Sequence, residues 1–153
     1  MMKVMEFLHP GAVTAELKAD TKRGALEELV QLLKADGAVV NVEEVVKVLL
    51  EREAVGSTGI GQGIALPHGK SGQVKGLVGA LGVSRKGIPF DALDGEPVYL
   101  VFLLLAPVDS AGQHLKALAK VTRLLKDKFF RQSLREAQDA AEIVKLIGEE
   151  DEY

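Results

Sequence analysis

The chain has 153 residues, of which 47% are hydrophobic, and its 19 basic and 22 acidic side chains give a formal net charge of -3. This length and apolar content predict a single domain with one hydrophobic core over residues 1–153. The charge balance gives no signature of nucleic-acid binding, and the absence of cysteine excludes disulfides and thiolate chemistry. No signal-peptide pattern opens the sequence and the longest apolar run, 98–107, is too short to span a bilayer, so we expect a cytoplasmic protein without membrane insertion.

Two amphipathic helices are predicted in the first third of the chain. The first runs from about Thr21 to Asp36, because its leucines and valines recur at helical spacing, and Gly37 is suited to end it. The second follows Asn41, whose spacing to Glu44 resembles a capping box, and ends near residues 52–53.

A glycine-rich loop, residues 56–63, separates the second helix from a short buried strand, Ile64 to Leu66, which Pro67 ends. Two further apolar segments, 77–83 and 98–105, are bounded by turn residues and predict central strands covered on both faces. Turns are expected between them, at Gly87 to Phe90 and at Asp94-Gly95.

Three helices are predicted in the last third of the chain. They run from residues 110–112 to about Lys126, from 128 to 136 and from 139 to 148, and the last begins with capping-box spacing. Residues 149–153 are expected to be a solvated acidic end. Helices around a buried sheet predict an α/β sandwich. The side chains expected to be buried in this region and near the amino terminus are Phe7, Leu115, Leu118, Val121, Leu125, Phe129 and Phe130.

Two phosphate-binding glycine motifs do not fit the sequence. Residues 69–71 resemble the end of a P-loop, but Ile64 stands where that motif requires glycine and Pro67 lacks the backbone N–H that would point at phosphate. The alternate glycines of segment 59–63 lack the dinucleotide-binding spacing, and they follow a helix and precede a strand, which is the reverse of the required order.

A metal site has little support from the sequence. The imidazoles are those of His9, His68 and His114, with no cysteine and no close histidine pair, although distant ligands can converge in a fold. No metal is therefore predicted.

His68 is the first candidate for chemistry. A lone histidine is usually a surface residue or a hydrogen-bonded core residue. However, His68 follows a predicted buried strand, and loops at the carboxyl ends of strands are where α/β sheets usually bind ligands. Pro67 restricts the backbone beside the ring and Gly69 leaves space beside it, so a neutral imidazole here could act as an exposed nucleophile.

Two further residues are candidates for holding an anion. His114 falls in the first turn of the third predicted helix, where free N–H groups and the helix dipole favour an anion and disfavour a protonated ring. Arg52 lies at the end of the second helix, where it either complements the helix dipole or offers a guanidinium fork to a phosphoryl group. For both, a purely local structural role remains open at this point.

Several segments together resemble the signature of phosphotransferase-system enzyme IIA domains of the fructose/mannitol type. The likeness extends over about residues 8–147, and the string from Gly63 to Gly69 is its most specific part. The matching segments are Arg52-Glu53, Gly56-Ser57-Thr58-Gly59-Ile60-Gly61, Gly63-Ile64-Ala65, Pro67-His68-Gly69, Leu93-Asp94, Pro97-Val98, the strand to Leu105, His114-Leu115 and Leu118-Ala119.

The resemblance implies a mixed sheet flanked by helices on both faces, and it assigns roles to named residues. His68 would match the phosphorylated histidine, and His114 and Arg52 would match the family's second active-site histidine and its arginine. The phosphoryl donor would be the phosphocarrier HPr or a paralogue, itself charged from phosphoenolpyruvate by an enzyme I, with no metal or organic cofactor required. Loop residues expected to surround the phosphoryl group with backbone donors are Ser57, Thr58, Gly59, Gly61 and Gly63.

Within the family, the chain is most similar to the nitrogen-regulatory branch, whose members signal to target proteins through their phosphorylation state. Three alternatives stay open: a stand-alone sugar enzyme IIA that passes the phosphoryl group to a IIB component, a regulatory binding module without productive transfer, and an unrelated metal or nucleotide enzyme.

Overall fold

The computed structural model describes residues 2–151, which form a six-stranded mixed β-sheet covered by five α-helices. The strands are β1 Leu8–Thr14, β2 Gly59–Gly61, β3 Ile64–Ala65, β4 His68–Lys70, β5 Val78–Ile88 and β6 Val98–Ala106. The helices are α1 Lys22–Ala35, α2 Val42–Val55, α3 Gln113–Leu124, α4 Lys128–Glu136 and α5 Ala140–Glu150, and a short 3-10 helix covers Val4–Glu6.

The sheet has the strand order β1-β5-β6-β3-β2, and β4 also pairs with β6. β5 and β6 form its antiparallel centre, whereas β1 runs parallel to β5 and both β3 and β4 run parallel to β6. β3 and β4 follow one another along the same side of β6, since Ile64 pairs with Leu100 and His68 pairs with Leu104. The predicted mixed sheet with two central strands is confirmed.

Helices cover both faces of the sheet, as predicted. α1 and α2 pack on one face, and α3, α4 and α5 pack on the other. Successive residues of β6 alternate between the two cores: Leu100 and Phe102 face α3–α5, and Val101 and Leu103 face α1 and α2. Burial on both faces explains why β6 is apolar almost throughout instead of alternating with polar residues.

Side-chain caps fix the helix starts that the sequence predicts. Asn41 Oδ1 accepts a hydrogen bond from the N–H of Glu44 at 3.1 Å, and Asp139 Oδ1 accepts one from the N–H of Glu142 at 2.9 Å. Each bond satisfies a donor that the first helical turn leaves free. α4 spans residues 128–136, as predicted.

The edge strand β1 is not among the predicted elements. Its sequence contains Pro10 and Gly11, which are typical of turns. The strand forms nevertheless because it lies at the sheet edge, where a missing N–H is tolerated, and because Leu8 and Val13 are buried against the core.

The central strand β5 is longer than predicted. It continues to Ile88 instead of ending at Val83, so Gly87 and Ile88 belong to the strand and the prediction of a turn beginning at Gly87 is wrong. A register shift after Val83 bends the strand without ending its pairing with β6. The expected turn around Asp94 is confirmed.

Two predicted core residues are exposed. Leu115 and Phe129 expose 62% and 76% of their surface, because each lies on the outer side of its helix. Phe7 and Phe130 are buried as expected, and a T-shaped contact joins Phe7 to Phe102 across the core. Periodicity therefore placed these helices correctly but did not fix which apolar side chains they bury.

The predicted solvated end is confirmed at Glu149, which is exposed, but it is wrong at Asp151, whose carboxylate is buried, and α5 continues to Glu150. Asp151 accepts hydrogen bonds from the N–H groups of Val4 at 2.9 Å and Met5 at 2.8 Å. It thereby caps the 3-10 helix and joins the two ends of the chain. The rest of the predicted tail, residues 152–153, lies outside the described residues.

Candidate functional site

A surface cleft of about 340 Å³ brings together the three residues to which the sequence assigned the chemistry. Arg52 comes from the last turn of α2, His68 from β4 and His114 from the first turn of α3. Their convergence depends on the packing of α2 and α3 near the same segment of β4. The remaining lining residues are Val48, Gly69, Lys70 and Leu104.

The His68 ring is held in one orientation. Its Nδ1 lies 2.8 Å from the carbonyl oxygen of Leu66, and because a carbonyl oxygen only accepts, Nδ1 carries the proton. Nε2 then holds the free lone pair of the neutral ring. His68 is half-buried at the first position of β4, directly after Pro67, and so it lies in a strand rather than in the expected loop.

Gly69 allows α2 to approach the strand that carries His68. A Cβ atom at this position would lie 2.7 Å from Cγ1 of Val48, which is closer than side-chain atoms pack. The absence of a side chain at Gly69 therefore lets the end of α2, with Arg52, reach the cleft.

His114 lies second in α3, as predicted, and its Nδ1 is 3.4 Å from the Ser110 hydroxyl. Burial lowers the pKa of His114 below its ordinary value, and the nearby Lys70 ammonium and His68 ring lower it further. The helix amino terminus acts in the same direction, because its dipole opposes a positive ring. These effects all favour the neutral form of the His114 ring.

The structure shows the first of the two roles considered for Arg52, at the end of α2, and the second, binding a phosphoryl group, stays a prediction. One guanidinium nitrogen, Nη1, donates to the carbonyl oxygen of Gly56 at 2.8 Å and so caps the carboxyl end of α2. The other donors of the guanidinium group remain available beside the cleft.

The five glycine-loop residues proposed to surround the phosphoryl group do not line this cleft. Several polar groups of the loop are engaged within the protein: the Ser57 hydroxyl donates to Phe90 O at 2.6 Å, and the N–H of Gly59 donates to the same hydroxyl at 3.0 Å. The remaining residues, Thr58, Gly61 and Gly63, build the β2–β3 hairpin.

Comparison with known proteins places the chain in a family. The family model described as "Phosphoenolpyruvate-dependent sugar phosphotransferase system, EIIA 2" matches residues 6–150. The chain belongs to this family. The fold and the resemblance stated from the sequence are thereby confirmed.

Individual relatives of this EIIA domain carry two kinds of name. A nitrogen regulatory protein of Bradyrhizobium diazoefficiens is 39% identical over 147 residues, covering 96% of this chain and 95% of the relative. The fructose-specific EIIABC component of Bacillus subtilis is 33% identical over 150 residues, which is 98% of this chain but 24% of that protein. The crystal structure of the nitrogen regulatory protein IIA-Ntr from Neisseria meningitidis superposes with a TM-score of 0.84 at 35% identity, covering 93% of this chain and 97% of the other.

A buried ionic cluster beside the cleft was not found from the sequence. Glu53 follows Arg52 in α2 and is buried, and its carboxylate lies 3.0 Å from Nζ of Lys22. The same carboxylate accepts hydrogen bonds from the Thr58 hydroxyl and, at 3.1 Å, from the Thr58 N–H. Glu53 therefore ties the start of the glycine loop to α1 and α2. The Arg52-Glu53 pair in the family signature was the only signal for it.

Lys70 is the other residue of this EIIA domain that sequence reasoning left without a role. It lines the cleft at the end of β4 and is close enough to lower the pKa of His114. The cleft thus contains two cations, Arg52 and Lys70, beside two imidazoles.

Two absences concern the part of the chain that the structure describes. Residues 2–151 contain no group of three or more imidazole or carboxylate side chains placed to hold a metal ion. Within the same residues, no helix is both long enough and apolar enough to cross a lipid bilayer.

Proposed function

We propose that the protein is one EIIA domain that acts as a phosphoryl carrier and receives the phosphoryl group on Nε2 of His68. The observation that carries this proposal is the orientation of the ring. The Leu66 carbonyl holds the proton on Nδ1, and the nucleophilic nitrogen is left in a cleft that also contains Arg52 and His114.

The proposed donor is a phosphohistidine of HPr or a paralogous carrier. The lone pair of Nε2 forms the new N–P bond while the electron pair of the donor's N–P bond returns to the donor ring. No proton has to leave Nε2, and the step requires no metal or organic cofactor from this chain. Transfer of this kind depends on in-line positioning and on stabilising charge at the phosphoryl oxygens.

Three cleft residues supply that charge in the proposed mechanism. Arg52 offers a planar fork of donors to two phosphoryl oxygens, and Lys70 adds a second cation. His114 is neutral before transfer because its pKa is lowered, and a phosphoryl dianion beside it opposes that shift and favours a protonated ring that donates to an oxygen.

We propose that the protein has a regulatory role, in which its phosphorylation state controls contact with a target protein. This role is supported by 39% identity to a nitrogen regulatory protein over nearly the full length of both chains. Phosphorylation adds about 1.5–2 negative charges to the cleft surface, enough to make or break contact with a target protein. The match to a fructose-specific component supports the alternative, a sugar enzyme IIA that passes the phosphoryl group to a IIB partner.

The phosphorylation site is tested by intact-mass measurement after incubation with phosphoenolpyruvate, enzyme I and HPr. The wild-type protein and the control His9→Ala, which removes a partly exposed imidazole paired with Asp36, should each gain one acid-labile phosphoryl group. His68→Ala should gain none. Labelling of His68→Ala would overturn the site assignment. Failure of the wild type with both HPr and a paralogous carrier system would overturn phosphoryl transfer itself.

The regulatory role and the sugar enzyme IIA role predict different behaviour of the phosphorylated protein. Phosphorylated protein is mixed with a purified fructose-type IIB domain, and transfer is followed by the loss of mass. In parallel, unphosphorylated and phosphorylated forms are used to capture target proteins. Capture of a defined target by one form only supports the regulatory role. Rapid transfer to IIB without state-dependent capture supports the sugar role.

A further inference from the structure

A second depression, of about 230 Å³, lies at the outer edge of the β2–β3 hairpin and against α4. Its lining combines one end of the hairpin, the start of β6 and one face of α4. Three of its residues, Lys128, Arg131 and Arg135, are cations spaced at helical intervals on that face. The other lining residues are Gln62, Gly63, Tyr99, Leu100 and Gln132. We call this depression the basic pocket.

Two of the three cations are fixed by neighbouring groups. The guanidinium carbon of Arg135 lies 3.8 Å from the centre of the Tyr99 ring, which is the geometry of a stacked cation–π contact. Nη1 of Arg131 donates to the carbonyl oxygens of Leu125 at 2.9 Å and Lys126 at 2.7 Å, so the rest of its guanidinium fork is held in place. Such fixed forks lose little side-chain entropy when they bind an oxyanion.

The hairpin leaves room for this arrangement. Gly63 has a φ of +78°, and a Cβ there would lie 3.2 Å from Cδ2 of Tyr99. The N–H of Tyr99 donates to the carbonyl oxygen of Gly63 at 2.8 Å. Because Gly63 has no Cβ atom, the Tyr99 ring has room to lie against the hairpin. The ring and the Arg135 guanidinium in contact with it therefore form one wall of the pocket.

Among residues 2–151, three carboxylates lie near the basic pocket, but none of them forms an ion pair with its cations. Within residues 2–151, no carboxylate lies at ion-pair distance from any of the three cations. The carboxylates at its margin already accept other hydrogen bonds: Asp94 from the N–H of Gln62, Glu136 from the side chain of Gln132, and Asp127 from the start of α4. What distinguishes these three cations is their convergence on one depression, which produces a local positive patch in a protein whose net charge is -3.

We propose that the basic pocket binds a small multivalent oxyanion, either phosphate-bearing or polycarboxylate. Guanidinium forks match the planar spacing of phosphate and carboxylate oxygens, and two glutamine side chains supply neutral hydrogen-bonding groups. The volume is below that of pockets that enclose drug-sized molecules, so the anionic group fits while a large organic moiety would remain outside.

The pocket is separate from the cleft around His68, which we call the phosphoryl cleft after the function proposed for it. The two share no lining residue, and β6 passes both, with Leu100 at the pocket and Leu104 at the cleft. Four residues of a strand span about 13 Å. The glycine loop leads from one to the other, so an anion that ties α4 to the hairpin would act on the segment that precedes His68.

The test titrates the full chain with pyrophosphate and, separately, with citrate at moderate ionic strength. Calorimetry gives the affinity, and backbone amide NMR shifts locate the site. We expect saturable binding that shifts the amides of Gln62, Gly63 and Arg135. Tighter binding of pyrophosphate indicates a phosphate-bearing ligand, and tighter binding of citrate indicates a polycarboxylate. Shifts confined to Gly69 and His114 would place the anion in the phosphoryl cleft and overturn the proposal.

Matched variants distinguish specific binding in the basic pocket from general electrostatic attraction of an anion to the protein. Lys128→Gln and Arg135→Gln should each weaken binding about tenfold, the loss of one charge-assisted contact. The exposed cations Arg123 and Lys145 serve as controls, and their glutamine variants should change affinity by roughly twofold or less. Arg135→Lys keeps the charge without the fork and provides a folded variant if Arg135→Gln is unstable. Equal weakening by pocket and control variants, or no saturable binding of either anion, would overturn the proposal.

Discussion

The phosphoryl cleft and the basic pocket both place cations beside β6, but they differ in what accompanies the charge. The cleft combines Arg52 and Lys70 with two imidazoles, one of which has its Nε2 free and the other a lowered pKa. The residues that line the basic pocket include three cations and two amides but no imidazole. In our two proposals, the same attraction for oxyanions serves transfer in the cleft and binding in the basic pocket.

The two sites also differ in how they are built. The cleft depends on close packing, since α2 reaches His68 only because Gly69 has no side chain, and on the buried Glu53 cluster that ties down the loop. The basic pocket lies between one face of α4 and the β2–β3 hairpin, and Arg135 of that face contacts the Tyr99 ring. We therefore expect substitutions around the cleft to affect both stability and transfer.

The largest effect is expected at Arg52. Arg52→Gln should slow phosphoryl transfer to His68 about 10²–10³-fold, because a donor aimed at the developing charge is lost. Arg52→Lys should recover part of the rate, since it restores the charge but not the fork. Rapid-quench transfer rates from phospho-HPr measure both, with Arg123→Gln as the arginine control. A rate for Arg52→Gln within a few-fold of wild type would remove Arg52 from the mechanism.

The next largest effect is expected at Glu53, where a substitution should lower the stability of the whole protein. Glu53→Gln leaves Lys22 without its buried partner and should lower the free energy of unfolding by about 2–3 kcal/mol, below the range for a fully buried pair because Lys22 is partly exposed. Urea denaturation measures the change. Adding Lys22→Met should restore part of the loss. If the two single losses simply add, the residues are not coupled and this account of the cluster is wrong.

The close approach at Gly69 gives a smaller effect. Gly69→Ala places a methyl group 2.7 Å from Cγ1 of Val48 and should destabilise the protein by about 1–2 kcal/mol. At Gly72 a Cβ would meet no atom within 4 Å, so Gly72→Ala should change stability by less than about 0.5 kcal/mol. Combining Gly69→Ala with Val48→Ala should cost less than the sum of the two. Equal behaviour of the two glycine variants would contradict the packing argument.

The smallest effect is the pH dependence contributed by His114. Its pKa is lowered in the folded protein, so near and below the ordinary value of 6.5 the unfolded chain binds more protons than the native state. The wild type should therefore lose stability relative to His114→Gln as the pH falls from neutral towards 5. Denaturation curves at several pH values measure this difference, and parallel stability profiles for the two proteins would show that His114 does not contribute it.

Sequence reasoning was most accurate where the signal is local. The Asn41 and Asp139 caps lie within one helical turn of the groups that they satisfy, and α4 has the bounds predicted from the sequence. The long signature around His68 was sufficient to recognise the family that the comparison confirms. It did not indicate that β4 begins at His68 or that the glycine loop would lie outside the cleft.

The sequence alone determined the helices, the two central strands and the family, because capping, periodicity and a specific motif act over a few neighbouring residues. Tertiary structure decided the rest. The β1 strand pairs despite Pro10, because only the assembled sheet provides an edge for it. Asp151 caps a helix 147 residues away in sequence, and Arg135 meets Tyr99 of β6. Contacts between residues distant in the chain arise from packing, which has no local signal in the sequence.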